Sequence, residues 1–572
     1  MSSDFVELGV LRSALKVGVV SSVTAQYIKV NLAHAGDVSG HYFDSNRYGK
    51  GEVGELVLVE GQQSILLGRI VEVNLPDRDR SEIAQDFGGM KKVDAIGIVR
   101  LLGSINPISL RIQAGIVSYP RLGDRVFSAP AEFISKIPQL TSAGLDSDPE
   151  PVTLELGTIS GDPNCKINIT PEKLFGRHCA ILGSTGGGKS WTTAKIIEEC
   201  KKYKAKIVLL DATSEYRSLE GANVQHHHLS SPIHLAGGSE ELRIPATDFN
   251  ESDFLALFEP SGKVQGPKLR EAMKSLRLMK LDPSLATNGV LMKAGKSRDA
   301  YSRALNRNEN AKKIENPSQE FDLSLLVRQV AAECCYPDDH NRPGHWGGVS
   351  PDLTYCSSLF TRILGVVGAP SLKCVFNSDS SIKTLSSSLN EFLQGDDAVF
   401  RLCMSAIGYE FNAREVVANA IGRLLLLKAR AEEFRDKPLI VILDEAHNFL
   451  GRKIGSDDYA MNLDAFELIA KEGRKYGLTI CLATQRPRDI TEGVLSQMGT
   501  LIVHRLTNDR DREVVERACG EIDRSAAAFL PNLKQGEAAL VGVDFPIPVT
   551  IQITPPAQPP KSDGPSFQEL WK

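Results

Sequence analysis

An α/β fold with a small all-β module ahead of it is predicted for this 572-residue chain from three observations. Short apolar runs separated by turn residues fill the first 150 positions. From about residue 155 apolar strands alternate with helical patterns, which predicts a parallel sheet. A glycine-rich stretch, "ILGSTGGGKS" at 181–190, stands between an apolar run and an amphipathic helix.

The first module is read from "LKVGVVSSV", "YIKVNLA", "ELVLVEG", "SILLGRIVEV", "AIGIVRLLG" and "LRIQAGIV". Short strands at this spacing predict a small barrel or sandwich, used either for packing or for docking. "PDRDRSEIAQDFGGMKK" inside it reads as an exposed loop.

Composition narrows the function classes. At 42% hydrophobic and 24% charged the chain is ordinary for a soluble globular protein, and its length predicts roughly two to four domains. A net charge of −5 excludes a global basic field, so any nucleic-acid contact has to be local. No apolar stretch reaches about 18 residues, because Lys428 and Arg430 break the run at 424–427. A cytoplasmic chain without membrane span or signal peptide is therefore expected. Ten cysteines without a C-x-x-C pair suit reduced thiols. The set Cys334, Cys335, His340 and His345 matches none of the usual zinc spacings, and His226 to His228 read as a solvated loop.

The loop from Gly183 to Ser190 fits Gly-x-x-x-x-Gly-Lys-Ser, with the strand before and the helix after that this pattern needs. Glycines let the backbone approach a phosphate and turn successive N–H groups inward. Gly183, Ser184, Thr185, Gly186, Gly187, Gly188, Lys189, Ser190 and Trp191 are the predicted ATP-binding residues. Lys189 reaches the β- and γ-phosphates and the Ser190 hydroxyl holds Mg2+, with the helix N-terminus adding its positive dipole end.

"KIVLLDATSEY" is a second strand, ending at Asp211, where open α/β sheets place ligands. "PLIVILDEAHNFL" is a third, closing on Asp444 and Glu445. Carboxylates at a sheet's carboxyl edge beside a phosphate loop neutralise magnesium, so Asp444 is assigned to the metal through water and Glu445 to the attacking water. Gln485, in "LATQRP", either senses the γ-phosphate, orients water or caps its strand. Arg474, in "EGRK", is either an arginine finger acting in trans or the partner of a surface carboxylate.

About 150 residues of helical pattern follow the second strand. Asn250 is placed to cap "ESDFLALFE", and Leu269, Met273 and Leu276 recur on one face of "PKLREAMKSLRLMK". A helical insertion is expected, and "REVVANAIGRLLLLKARAEEF" leads back into the sheet.

In their order, "HCAILGSTGGGKS", "LLDATSEY", "VILDEAHNFL", "EGRKYGLTICLATQRP" and "QGEAALVG" resemble the HerA family of DNA-translocating ATPases, relatives of the FtsK translocases. The resemblance covers most of the chain. It implies a barrel of the HerA-ATP-synthase type at 1–150, then a RecA-like core at 151–249 and 406–547. A helical insertion at 250–405 interrupts that core, and a tail occupies 548–572. It also implies a homo-hexameric ring around double-stranded DNA, Arg474 supplied to a neighbour's nucleotide and Arg177 as a second contact between subunits. Asp211 matches a polar residue of the family's second strand, and Gln485 its sensor. "DATSEY" departs from the family by lacking a glycine before Glu215-Tyr216, which puts the role of Glu215 in doubt.

Partners implied by the resemblance are a nuclease such as NurA or a sirtuin-like effector docked on the barrel, in DNA end processing or anti-phage defence. Arg452 and Lys453, in "GRKIGSDDYAMN", line a pore or simply form a surface loop. The tail, ending in Phe567, Leu570 and Trp571, braces a neighbour or is disordered. Two other readings remain: an ATP-regulated ring scaffold that activates an effector, and a conjugation-type translocase at a membrane.

Overall fold

The computed structural model describes residues 11–32, 41–43, 46–49, 51–75, 95–141, 151–160, 162–317, 319–376, 379, 381–450, 453–454, 461–518, 528–562 and 567–572. The expected loop at 76–92 and Arg452 lie outside them. The chain forms two compact units. One comprises Met1–Tyr203, Cys481–Arg488 and Leu495–Ala557, the other Lys204–Ile480, Asp489–Val494 and Gln558–Lys572.

Alternation builds the N-terminal barrel of the first unit. Along Tyr27–Leu32 the side chains of Ile28, Val30 and Leu32 are fully buried while their neighbours face outward, which is the period of a strand with one face on a core. This strand pairs antiparallel with both Lys16–Val23 and Ala95–Ile105, and so closes a ring. The ring continues from Lys16–Val23 through Arg125–Ser128, Leu56–Val59 and Ile65–Asn74 to Ala95–Ile105. Register shifts at Val20/Ser22, Leu67/Gly68 and Ile70/Glu72 add the local twist that so small a ring needs. Val17, Val57, Leu66, Val99 and Val126 fill it.

Two elements differ from expectation. Arg125–Ser128 is a ring strand, while "LRIQAGIV" supplies only the short side strand Ile112–Ala114. Four residues were too few to register as a strand from sequence, although all of Val126, Phe127 and Ser128 are buried. A helix, Ala131–Leu140, follows the barrel and buries Phe133 and Ile137.

The core of the first unit is not purely parallel. His178–Leu182 pairs in parallel with Met498–His504 and with Leu478–Thr484. Beyond Met498–His504 the order Glu537–Gly542, Phe545–Ile553, Leu154–Ile159, Asp162–Ile169 is antiparallel throughout. Two of these pairs, Glu537–Gly542 with Phe545–Ile553 and Leu154–Ile159 with Asp162–Ile169, are hairpins whose short connections force that direction, since parallel neighbours need a crossover. The strand Phe545–Ile553 also carries the core past residue 547, where the tail was expected to begin.

The second unit holds a parallel array in the order Leu439–Leu443, Lys206–Asp211, Val399–Cys403, Val224–Leu229, Glu240–Leu242. Leu439–Leu443 and Val399–Cys403 are buried at every position, as expected of parallel strands covered on both faces. Two corrections arise here. Val399–Cys403 belongs to the sheet, so the helical insertion ends before it and not at 405. The histidine run lies in the strand Val224–Leu229 and not in a solvated loop: His227 is buried and stacks on Phe400 at 4.3 Å, with burial holding its pKa down at about 4.

The insertion runs from Glu251–Phe258 to Leu385–Gln394. Asn250 does cap its first helix, in a reciprocal capping box with Asp253 that stabilises by about 1 kcal/mol. Leu269, Met273 and Leu276 are buried along Gly262–Leu281. Lys206 donates to the carbonyls of Phe392, Gly395 and Asp397, a cation satisfying the open carbonyl end of the last helix. Among the described residues no single helix is long and apolar enough to cross a membrane.

Candidate active site

In the first unit the fully buried strand His178–Leu182 delivers the chain into the glycine loop, and the helix Lys189–Cys200 leaves it. Gly186 and Gly188 have φ of +74° and +113°, conformations that a side chain would strain. A Cβ on Gly183 would stand 2.6 Å from the Cβ of His504, so close approach also demands glycine there. The loop is closed by Gly187 N–H donating to Ser184 O at 3.0 Å and is tied down by Ser184 N–H and Oγ donating to Arg505 O. Lys189 is buried and its Nζ lies 3.4 Å from Ser184 O, folded over the loop. These features fit a nucleotide phosphate: Gly186 faces open space, with nothing within 4 Å of its missing Cβ.

Gln485 meets the loop directly, its Oε1 accepting from Thr185 Oγ1 at 2.5 Å. Arg177 lies 3.8 Å from Asp544 and stays partly exposed. Trp191 lies on the first helical turn, half-buried.

Sequence reasoning missed His504. It ends the strand Met498–His504, is fully buried, and sits under Gly183, Gly187 and Gly188. Its Nδ1 lies 2.8 Å from Glu537 O, and a carbonyl only accepts, so Nδ1 carries the proton. Nε2 then accepts from Thr192 Oγ1 at 2.8 Å. Burial holds the imidazole neutral, with a pKa of about 4, and the Lys189 charge acts in the same direction. A loop strand apolar up to its last residue was the available signal.

The second unit holds the carboxylates. Asp211 is wholly buried, and Arg401, 1% exposed on the neighbouring strand, reaches it at 2.8 Å. Asp211 Oδ1 accepts from Thr213 and Glu215 N–H, and Oδ2 from Tyr216 N–H. Arg401 also donates to Ser214 Oγ at 3.1 Å. A carboxylate so engaged shapes the turn 211–216, with both of its oxygens taken up by protein donors. Buried charge demands such pairing, and the partner sits on a strand almost 200 positions away, beyond the reach of local patterns.

That turn carries a second residue the sequence did not assign. Tyr216 is fully buried and its hydroxyl donates to Asp444 Oδ1 at 3.3 Å. Asp444 follows the strand Leu439–Leu443, and its N–H donates to Leu210 O. Glu445 is left-handed, φ 48° and ψ 49°, a strained conformation for a residue with a Cβ, and its Oε2 lies 3.2 Å from His447 Nδ1. Residues 558–561 of the tail lie along the chain's own turn: Ser218 Oγ donates to Pro559 O at 2.7 Å and Lys561 N–H to Glu215 O at 2.8 Å.

Arg474 is exposed on the turn Gly473–Tyr476 and forms no ion pair among the described residues, so the surface-carboxylate alternative has no partner there. Cys334 and Cys335 are buried, with Cys334 Sγ 3.9 Å from Cys356 Sγ, and no group of three His, Cys, Asp or Glu is placed to hold a metal ion among the described residues.

An α/β core interrupted by helices and preceded by a small barrel, with a phosphate loop opening a helix, defines a P-loop ATPase. Comparison with known proteins gives its kinship. Residues 154–328 match the family "Helicase HerA, central domain". A probable helicase of Methanocaldococcus jannaschii is 23% identical over 520 residues, 88% of this chain and 86% of that protein. The DNA double-strand break repair helicase HerA of Pyrococcus furiosus is 24% identical over 500 residues, 83% of this chain and 80% of its own length. VirB4 of Thermoanaerobacter pseudethanolicus superposes with a TM-score of 0.44 at 14% identity, covering 72% of this chain and 98% of VirB4. The resemblance to HerA read from the motifs therefore has a counterpart in the family match over residues 154–328.

Proposed function

We propose that this chain is the motor subunit of a ring, a homo-hexamer as the HerA resemblance implies, that hydrolyses ATP to translocate double-stranded DNA. Of the two relatives described above, both are named helicases and the second a DNA double-strand break repair helicase. The observation that carries turnover, as opposed to mere nucleotide binding, is the strained Glu445 beside an Asp444 held by Tyr216. Backbone strain persists only where the surrounding structure over-determines it, and such residues cluster at active sites.

In this reading the loop N–H groups and Lys189 bind the phosphates, Gln485 reads the γ-phosphate from its place on Thr185, and Ser190 and Asp444 hold Mg2+. The metal supplies charge neutralisation at the phosphates. Glu445 orients and polarises water, Arg474 reaches a neighbouring subunit's nucleotide, and Arg177 makes a second contact there. Arg452 and Lys453 supply positive charge for the DNA in this reading. A separate nuclease or sirtuin-like effector docks on the barrel, in cytoplasmic DNA end processing or phage defence.

The test is steady-state ATP turnover with and without long duplex DNA at two salt concentrations, with Lys189→Ala as blank. Stimulation that fades with salt supports the motor. Turnover indifferent to DNA overturns it in favour of a nucleotide-regulated scaffold.

A further inference from the structure

The charge of this chain is unevenly distributed. Residues 278–314 of the helical insertion carry eight Lys and Arg against three Asp and Glu, a net charge of +5 inside a chain of −5. The segment folds on its own small core. The end of the helix Gly262–Leu281 and the helices Asp299–Asn306 and Asn310–Lys313 meet around Leu278, Ala304 and Ile314, with Leu281, Leu285, Tyr301 and Leu305 packed against them.

That core fixes which charges point out. Lys280, Arg303, Arg307, Lys312 and Lys313 are exposed on the three helices and the turn between them. Lys293 is turned inward, paired with Glu333 at 2.5 Å. Among the acids, Asp282 is withdrawn, 12% exposed and bonded to Ser284, while Glu315 just beyond the segment is neutralised by Lys274 at 2.8 Å. Three ion pairs temper the surface, Arg307 with Asp282 at 3.3 Å, Lys312 with Glu309 at 3.5 Å and Arg298 with Asp338 at 2.7 Å. All three cations are partly or fully exposed, so water and salt screen the pairs and they exchange readily for phosphate. Exposed Ser302, Asn306 and Asn308 stand among the cations, and their amide and hydroxyl groups suit phosphate and sugar oxygens.

We propose that this lobe is a second nucleic-acid contact, binding the phosphate backbone of duplex DNA without reading bases; the inference rests on the DNA-translocase reading above. An acidic protein partner is disfavoured by what the surface lacks. Within residues 278–314 Met292, 42% exposed, is the one large hydrophobic side chain exposed among the described residues, whereas protein interfaces are anchored by clusters of aromatic or aliphatic side chains. A phosphate backbone needs only positive charge and hydrogen-bond donors.

The experiment measures binding of a short labelled duplex by fluorescence anisotropy across a salt series. It compares the full chain with Lys280→Glu/Arg303→Glu/Lys313→Glu and with the gentler Lys280→Gln/Arg303→Gln/Lys313→Gln. Each lost phosphate contact reduces the log–log salt slope by about 0.9, so a decrease of about 2 to 3 is expected, with affinity at least tenfold weaker at low salt. ATP turnover without DNA stays at the wild-type rate in both variants, which also reports that they are folded. Unchanged affinity and slope in both variants, with the wild-type chain binding DNA normally, overturns the lobe alone. Failure of the wild-type chain to bind duplex overturns the translocase reading with it. Loss of polyglutamate binding with DNA binding intact overturns the lobe in favour of an acidic protein.

Discussion

The hydroxyl of Tyr216 donates to Oδ1 of Asp444 across 3.3 Å, linking the turn after one inner strand to the carboxylate after its neighbour. Because both side chains are buried, the contact fixes the carboxylate's rotation. Tyr216→Phe is expected to lower turnover about three- to tenfold, the effect of losing roughly 1 kcal/mol of hydrogen bonding. The Mg2+ concentration for half-maximal turnover rises with it, while metal-free nucleotide affinity holds. A Mg2+ titration of ATP turnover checks this; an unshifted curve removes Tyr216 from metal positioning.

Glu445 combines chemistry with strain. Glu445→Gln retains ATP binding and loses turnover by at least a hundredfold, since the amide cannot polarise water. Glu445→Gly is equally inactive, but it relieves the left-handed backbone, which costs a residue with a Cβ roughly 1–2 kcal/mol. After the entropy glycine loses on folding, Gly should exceed Gln in stability by up to about 1 kcal/mol. Paired thermal melts decide it, and equal midpoints argue that φ at 445 carries no strain.

Asp211 and Arg401 form a buried pair, so removing one partner strands the other. Asp211→Asn or Arg401→Met is expected to destabilise the chain by about 3–5 kcal/mol. Urea unfolding measures this. A variant of full stability with abolished turnover would instead place Asp211 in the catalytic set.

Among the described residues Arg474 forms no ion pair. Arg474→Ala is expected to leave stability and ATP affinity near wild type while cutting turnover at least tenfold. Mixing Arg474→Ala with Glu445→Gln subunits separates the cases: recovered activity in mixed assemblies supports action in trans, and none supports action in cis.

His504 predicts a pH dependence. The folded chain keeps this imidazole neutral down to about pH 4, against the usual 6.5. Between those values the unfolded chain binds a proton that the folded chain refuses. The stability is therefore present above pH 6.5 and is lost as pH falls toward 4, on the order of 3 kcal/mol in all. Denaturant midpoints at several pH values should fall over that window, and His504→Gln should flatten the slope.

The elements legible in the sequence were those that local chemistry dictates. The glycine loop announced itself because only glycine adopts φ of +74° and +113° at Gly186 and Gly188. The strand ending at Asp444 was visible because a strand buried on both faces is apolar at every position. The cap at Asn250 followed from its residue type, and the buried face of Leu269, Met273 and Leu276 from helical period; the reciprocal bond from Asp253 emerged only in the fold. The short strand Arg125–Ser128 and the sheet membership of Val399–Cys403 did not, because a run of four or five residues is decided by the strands it pairs with.

By itself the sequence pointed to a phosphate loop between a strand and a helix, and showed where strands and helices alternate. Tertiary structure decided what each polar side chain is for. Asp211 and Asp444 both end inner parallel strands and look equivalent in sequence. One is consumed by Arg401 and the other is steadied by Tyr216, because a buried carboxylate takes its role from partners that only folding brings within 3 Å or so. His504 was invisible for the same reason: a neutral imidazole beneath a glycine loop is specified by packing and by the carbonyl of Glu537 on an adjacent strand, and not by any local pattern.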